Sequence, residues 1–440
     1  MSILGSHAAH AQQIQTVWVI DMENRNWTQP STDSSAPAQI FGNSAAPYIN
    51  SLVTPGHPNA ALVSYASQYH NVLATPSGSN PSIHPSEPNY LWQEAGSNFG
   101  VTSDSEPYGS GGTVAAISSY LASHPTVSGQ NLCALLQNAN ISWKSYQEGI
   151  DLQTTGGGNV NTGGTPTSTV LPSNQWTVPL SSFSGTSSSY TNPYNGSHQY
   201  NFACKHDGTL FFTATNGSTT TANTSTSNPE VSHYAPLEQL QTDLNNGTCA
   251  HYNLITPDQY NDMHTALSGG FTYVANNNTH YTGDLAQLAQ GDNFLSIIVP
   301  RIMASSQFQN NGAIIIWTDE TEGSNQNDFQ HTLMEIVISP RAKGNAFNVT
   351  DDLTHSSDLA TLQEIFNVSG SLTRFLNDAN NPSNVSGTLD MANFFQPGAL
   401  TGGDTTPPTD TPTLPLPALA LFGAALLIAA MRVIPPARIS

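Results

Sequence analysis

Thr16-Val17-Trp18-Val19-Ile20 is an apolar, β-branched run that breaks abruptly into Asp21-Met22-Glu23-Asn24-Arg25-Asn26-Trp27. A short run of this kind, bounded by polar residues, reads as a strand buried on both faces. Ala313-Ile314-Ile315-Ile316-Trp317 repeats the pattern and breaks into Thr318-Asp319-Glu320. Between them lies a Gly/Pro/Ser loop, Thr75-Pro76-Ser77-Gly78-Ser79-Asn80-Pro81-Ser82-Ile83-His84-Pro85-Ser86, which runs into a predicted helix at Glu87-Pro88-Asn89-Tyr90. In open parallel α/β sheets, ligands gather outside the carboxyl ends of the strands. Two acidic clusters and a hydroxyl-rich turn at such ends are the parts of a metal-assisted phosphoester hydrolase.

Further strands are predicted at Ala61–Ser64, Ile141–Trp143, Tyr252–Ile255 and Met334–Ile338, and helices at Val114–Ser123, Leu132–Asn138, Asn293–Ser305 and Ser356–Phe366. Pro300 is expected to kink or split the third helix. Ser356 or Ser357 is expected to cap the fourth. Strands alternating with helices predict an α/β fold, a doubly wound, mostly parallel sheet flanked by helices. One domain is expected over residues 12–400. Residues 151–232 break the pattern with Gly, Thr, Asn and Ser. They read as a loop-rich insertion over the active face, with a substrate lid and a decorative surface excursion both open.

Composition narrows the partners. Lys and Arg total 9 against 30 acids, a net charge of −21, so no basic patch exists to neutralise a nucleic-acid backbone. Charged residues are only 9% of the chain, the look of an exported surface. Of Cys133, Cys204 and Cys249, a bridge between Cys204 and Cys249 is expected in an oxidising compartment. Ala9-His10-Ala11 matches a signal-peptidase site, which makes residues 1–11 a signal-peptide remnant whose start is expected upstream of Met1. Residues 401–413 form a Pro/Thr linker, and 414–440 a C-terminal hydrophobic anchor or sorting segment. Within it, Leu414–Met431 is uncharged and long enough to span a bilayer, with Arg432 and Arg438 behind it.

Met22-Glu23-Asn24-Arg25, His84-Pro85-Ser86-Glu87-Pro88-Asn89-Tyr90-Leu91, Asn261-Asp262-Met263-His264 and Trp317-Thr318-Asp319-Glu320 occur in this order. Ile338-Ser339-Pro340 and Thr354-His355-Ser356-Ser357-Asp358-Leu359 follow. Together they resemble the bacterial phosphoesterase family of acid phosphatases and phospholipases C within the alkaline phosphatase superfamily. The resemblance implies an alkaline phosphatase-like fold with Ser86 as nucleophile. It implies Glu23, Asn24, Asp319, Glu320 and His355 as ligands of a divalent metal, and Asp262 with His264 as second-metal ligands or leaving-group acid. Cys204-Lys205-His206-Asp207 is similar to a Lys-His-x-Pro-Phe element that borders the phosphate. Gly208 and Thr209 stand where that element has Pro and Phe, so His206 is left unassigned.

The residues themselves leave alternatives. Glu23 and Asn24 also read as a turn or helix cap, Ser77, Ser79 and Ser82 rival Ser86, and His331 rivals His355. Adjacent carboxylates at Asp319 and Glu320 repel unless a cation or donor compensates. Oxygen ligands suit Mg, Mn or Ca, and imidazole widens the choice to Zn. The expectation is an exported, membrane-tethered phosphoesterase acting on phosphomonoesters or phospholipid head groups. Its rival is a catalytically inactive cell-surface binding or adhesion protein on the same fold. A sulfatase is disfavoured because the Cys/Ser-x-Pro-x-Arg signature is absent.

Overall fold

Alternation along the central strands decides the architecture. A computed structural model describes residues 13–72, 84–323, 330–368 and 389–400. Ala9-His10-Ala11, the rival serines Ser77, Ser79 and Ser82, the 401–413 linker and the Leu414–Met431 run lie outside the described residues. The sheet strands are β1 (Thr16–Met22), β2 (Val63–Ala66), β3 (Trp143–Gln147), β4 (Tyr234–Pro236), β5 (Tyr252–Thr256), β6 (Gly312–Thr318), β7 (Glu335–Ile338) and β8 (Phe347–Val349). They form one 8-stranded sheet in the order β8-β2-β7-β6-β1-β5-β3-β4. β7 runs antiparallel to both neighbours, and every other pair is parallel.

Helices cover both faces: α1 (Pro47–Leu52), α2 (Glu87–Ala95), α3 (Thr113–Ser123), α4 (Leu132–Asn138), α5 (Glu238–Asn246), α6 (Asp284–Met303) and α7 (His355–Ile365). Trp18, Ile20, Ile314 and Ile316 point to one face, where Ile49 of α1, Leu244 of α5 and Leu295 of α6 cover them. Val17, Val19 and Ile315 point to the other, against Tyr90 of α2, Leu136 of α4 and Leu359 of α7. A doubly wound sheet follows because strands apolar on both sides are stable only when both sides are covered.

Several expectations shift. α6 starts at Asp284, well before the predicted Asn293, and runs unbroken through Pro300. That proline falls in the last turn, so little of the helix ladder is lost, while buried Leu295, Ile298, Val299 and Ile302 hold the helix down. α7 is capped by Thr354 rather than Ser356 or Ser357, with Ser357 completing the capping box. The expected disulfide is absent. All three cysteines are free and buried, and Cys204 and Cys249 belong to cores on opposite faces of the sheet.

The insertion is more ordered than its composition suggests. It holds two antiparallel hairpins, Leu152–Thr154 with Pro166–Val170 and Phe183–Thr186 with Gln199–Phe202. A small core of Leu152, Val160, Tyr190 and Tyr200 is supplemented by polar bonds. Buried Asp151 accepts from Asn159 Nδ2 at 2.6 Å, Asn161 Nδ2 at 2.9 Å and Thr177 N at 3.0 Å. Among the described residues no helix is long and apolar enough to cross a membrane.

Candidate active site

The register of β1 against β6 pairs Met22 with Thr318, so Glu23 and Asn24 leave the sheet beside Asp319 and Glu320. Asp319 N donates to the Met22 carbonyl at 3.2 Å, and Asn24 N to Asp319 Oδ1 at 2.9 Å. Glu23 N reaches the Asp262 carbonyl at 2.8 Å and draws the loop after β5 onto the same spot. Asn24 at φ 42° and Met263 at φ 86° both occupy the left-handed region, backbone strain of the kind that gathers at functional sites.

α2 supplies the next layer. Ser86, 2% exposed at its N-terminal boundary, places Oγ 3.1 Å from Glu320 Oε1, 3.2 Å from Glu23 Oε2 and 3.5 Å from Asn24 Oδ1. Asn89 Nδ2 donates to Glu320 Oε2 at 3.1 Å, and Tyr90 Oη to Glu23 Oε1 at 2.6 Å. Positions three and four along a helix share a face, which is why Ser86, Asn89 and Tyr90 converge. The first amides of α2 offer no phosphate cradle. Glu87 N is committed to Asp104 Oδ1 at 3.1 Å, Pro88 has no N–H, and Asn89 N bonds the Ser86 carbonyl.

Glu23, Asn24 and Glu320 thus meet at Ser86, Asp319 is held beside them by Asn24 N, and Asp262 joins through a residue left unassigned from sequence. His206, fully buried in the insertion, lies with Nε2 3.1 Å from Glu23 Oε1 and Nδ1 3.4 Å from Asp262 Oδ2. It stacks on Tyr90 at 5.2 Å. The Lys-His pair was the available signal. Gly208 explains the departure from the family element, since a Cβ there would lie 2.3 Å from the Tyr90 carbonyl oxygen. The insertion therefore builds part of the site and is more than a cover for it.

His264 sits at the rim, half-buried, with Nδ1 3.0 Å from Thr265 Oγ1. His355, expected among the ligands, lies behind the cluster. Its Nε2 is 2.7 Å from the Asp319 backbone carbonyl and its Nδ1 2.8 Å from Tyr69 Oη. Both ring nitrogens are committed, so the geometry gives His355 a supporting place instead of a ligand's. The rival His331 pairs with Asp33 at 3.0 Å.

The electrostatics are those of crowded anions. Burial raises Glu23 and Asp319 well above the ordinary carboxylate range; Asp262 adds to the first, Glu23 and Glu320 to the second. Burial likewise raises Asp262. For His84 burial opposes the charge, but the bond and attraction of Glu320 outweigh it and push the imidazole up to about 9. His84 Nδ1 is 3.0 Å from Glu320 Oε1. Burial, then Lys205 and Arg25, lower His264 to about 4.

A model of the phosphoesterase family matches residues 12–369. The chain belongs to that family. Hydrolysis of a phosphoester-type bond is accordingly the reaction its active site serves. No curated protein matches the chain. Solved structures with a similar course include an alkaline phosphatase superfamily protein from Vibrio parahaemolyticus, at 12% identity over 81% of this chain and 67% of that one, TM-score 0.41. A lipoteichoic acid synthase from Listeria monocytogenes is similar at 8% identity over 87% and 79%, TM-score 0.41. A sulfatase from Pseudoalteromonas is similar at 11% identity over 89% and 78%, TM-score 0.41.

The residues of this phosphoesterase fit a divalent cation. Asp319 Oδ2, Asp262 Oδ2 and His206 Nε2 are buried and have no aligned hydrogen-bond partner among the described residues. Buried polar atoms left in this state mark a place for another group. On the outer side, ligand atoms of His84, Glu320 and Glu322 lie within 4.8 Å of one another.

Proposed function

We propose that this chain is an exported, divalent metal-dependent phosphoesterase that cleaves phosphomonoesters or phospholipid head groups through Ser86. The observation that carries the reading is the Ser86 hydroxyl, buried at a helix start and within hydrogen-bond reach, at 3.2 and 3.1 Å, of two carboxylates that follow different strands. Glu23, Asn24, Asp319 and Glu320 would hold the cation, with Asp262 and His206 completing the set. Bound there, it would neutralise the crowded carboxylates and polarise a phosphoryl oxygen.

The chain's own groups account for the rest. Ser86 Oγ gives up its proton to Glu320 Oε1 or Glu23 Oε2 and attacks phosphorus as the P–O bond to the leaving group breaks; the carboxyl returns that proton to the departing oxygen, leaving a phosphoserine and a free alcohol. Lys205, whose Nζ pairs with Asp104 Oδ2 at 2.6 Å and feels the field of Glu23 and Asp319, is one nearby cation suited to the incoming anion's charge, beside His84. His264, neutral above its lowered pKa, suits the water that hydrolyses the phosphoserine better than it suits protonating the alcohol at neutral pH. Export and membrane attachment rest on Ala9-His10-Ala11 and the Leu414–Met431 run.

The test is Ser86→Ala, assayed on a phosphomonoester and on a phospholipid with metal content measured in parallel. Turnover should fall by several orders of magnitude with folding and bound metal retained. Near-wild-type turnover would move the nucleophile elsewhere, and an inert wild-type protein on both substrates would favour the binding-protein reading.

A further inference from the structure

Behind Asp319 runs a line of buried polar groups that the reaction does not touch. His355 Nε2 lies 2.7 Å from the Asp319 carbonyl oxygen, which can only accept, so Nε2 carries a hydrogen. His355 Nδ1 lies 2.8 Å from Tyr69 Oη, and Tyr69 Oη also bonds Asp358 Oδ2. Tyr69 has one hydroxyl hydrogen for two partners. If His355 is neutral, that hydrogen goes to Nδ1, and Asp358 must bring a hydrogen of its own. If Asp358 is ionised, His355 must be an imidazolium, or else two lone pairs face each other at hydrogen-bond distance.

The surroundings choose between these arrangements. Glu335, 1% exposed on β7, sets a second carboxyl close enough to repel Asp358, and neither of its oxygens has a hydrogen-bond partner among the described residues. No ion pair reaches Asp358 or Glu335 among the described residues. The small cavity beside His355 and Asp358, about 10 Å³, is walled by Val19, Ile315, Trp317 and Leu362, and by Gln93, whose Nε2 is committed to Asp21 Oδ1 at 2.9 Å. A largely apolar wall with unpaired carboxyls disfavours charge on both partners.

We infer that Asp358, as a neutral acid, donates to Tyr69, Tyr69 donates to His355 Nδ1, and His355 Nε2–H holds the Asp319 carbonyl, so that Tyr69 and Asp358 are positioning residues for the Asp319 carboxylate. This rests on the reading of Asp319 as a metal ligand. Its reach is long in sequence, because Tyr69 and Asp358 stand 289 residues apart and converge only in the fold. Removing outer partners of ligating groups weakens metal affinity about 10–100-fold.

The test combines two readouts on the full chain. ¹⁵N spectra of the histidine rings at about pH 6, below the range in which Asp358 ionises, with the His355 signal identified by its loss in His355→Gln, should show the neutral Nε2–H form in the wild type. Tyr69→Phe should abolish that single form. Titration with Mn²⁺ and Zn²⁺ separately should show Tyr69→Phe and Asp358→Leu binding about 10–100-fold more weakly. Asp358→Asn should keep both tautomer and affinity, because its Nδ2–H replaces the acid's hydrogen. A charged or Nδ1–H ring in the wild type overturns the inference, as does loss of the Nε2–H form in Asp358→Asn. Unchanged tautomer and affinity in folded Tyr69→Phe overturns it too. If the wild type binds neither ion, the metal reading fails while the ring spectra still decide the hydrogen-bond chain.

Discussion

At the scale of single residues, Asp319 and Glu320 are adjacent, buried, and face Glu23 from the neighbouring strand. Charges so close cannot all ionise in a low-dielectric pocket, so each must find a proton, a donor or a cation. Glu320 has donors in Ser86, Asn89 and His84, whereas Asp319 Oδ2 has none among the described residues. Asp319→Asn combined with Glu320→Gln should therefore lose bound metal and activity together, with the fold retained or slightly stabilised. Metal analysis beside circular dichroism reads this out, and full metal occupancy with lost activity would assign the pair to proton transfer instead. The candidate ligands at Glu23, Asn24, Asp319 and Glu320 were legible because each follows a strand that is apolar on both faces. The place of His355 was not, since it depends on Tyr69, far away in sequence.

At the scale of elements, α2 and the turn carrying His206 touch so closely that only glycine fits at position 208. A Cβ there would meet the Tyr90 carbonyl oxygen at 2.3 Å and Glu94 Cγ at 2.9 Å. Backbone cannot yield as a flexible side chain does, so Gly208→Ala should cost about 1–3 kcal/mol in stability. It should also displace His206 from Glu23 and weaken metal binding in the folded fraction. Equilibrium unfolding with metal titration checks both, and an unchanged midpoint would mean that the turn relaxes freely. The long strands β1 and β6 and helix α4 could be read from periodicity, but β4 and β8, three residues each, could not. The order within the insertion was not legible for a related reason. Its order comes from side-chain bonds around Asp151 and from ties such as Asn192 Nδ2 to Glu148 Oε1 at 2.6 Å, which leave no apolar pattern.

At the scale of the whole molecule, buried acids dominate the response to pH. Burial pushes Glu87, Glu94, Asp151, Asp258, Asp292 and Asp358 up to about 7. Unfolded, these groups titrate near 4, so between roughly pH 4 and 7 the native state binds more protons than the unfolded one. Stability then falls as pH rises through that window, opposite to the usual carboxylate case. The metal-free protein should melt a few degrees lower at pH 8 than at pH 5, on the order of the shift expected for a few kcal/mol. Divalent metal at about 100 times its dissociation constant should restore roughly 2.7 kcal/mol at pH 8. A melting temperature that rises with pH in the metal-free protein would contradict this balance.

The central claim is that the phosphoryl group passes through Ser86. Acid-quenching the wild-type protein during turnover of a phosphomonoester, followed by peptide mass spectrometry, tests it directly. The account predicts one phosphoryl group on the peptide containing Ser86, absent from Ser86→Ala and lost on further incubation with water. Product formation with no label at Ser86, or with the label on another residue, would contradict it.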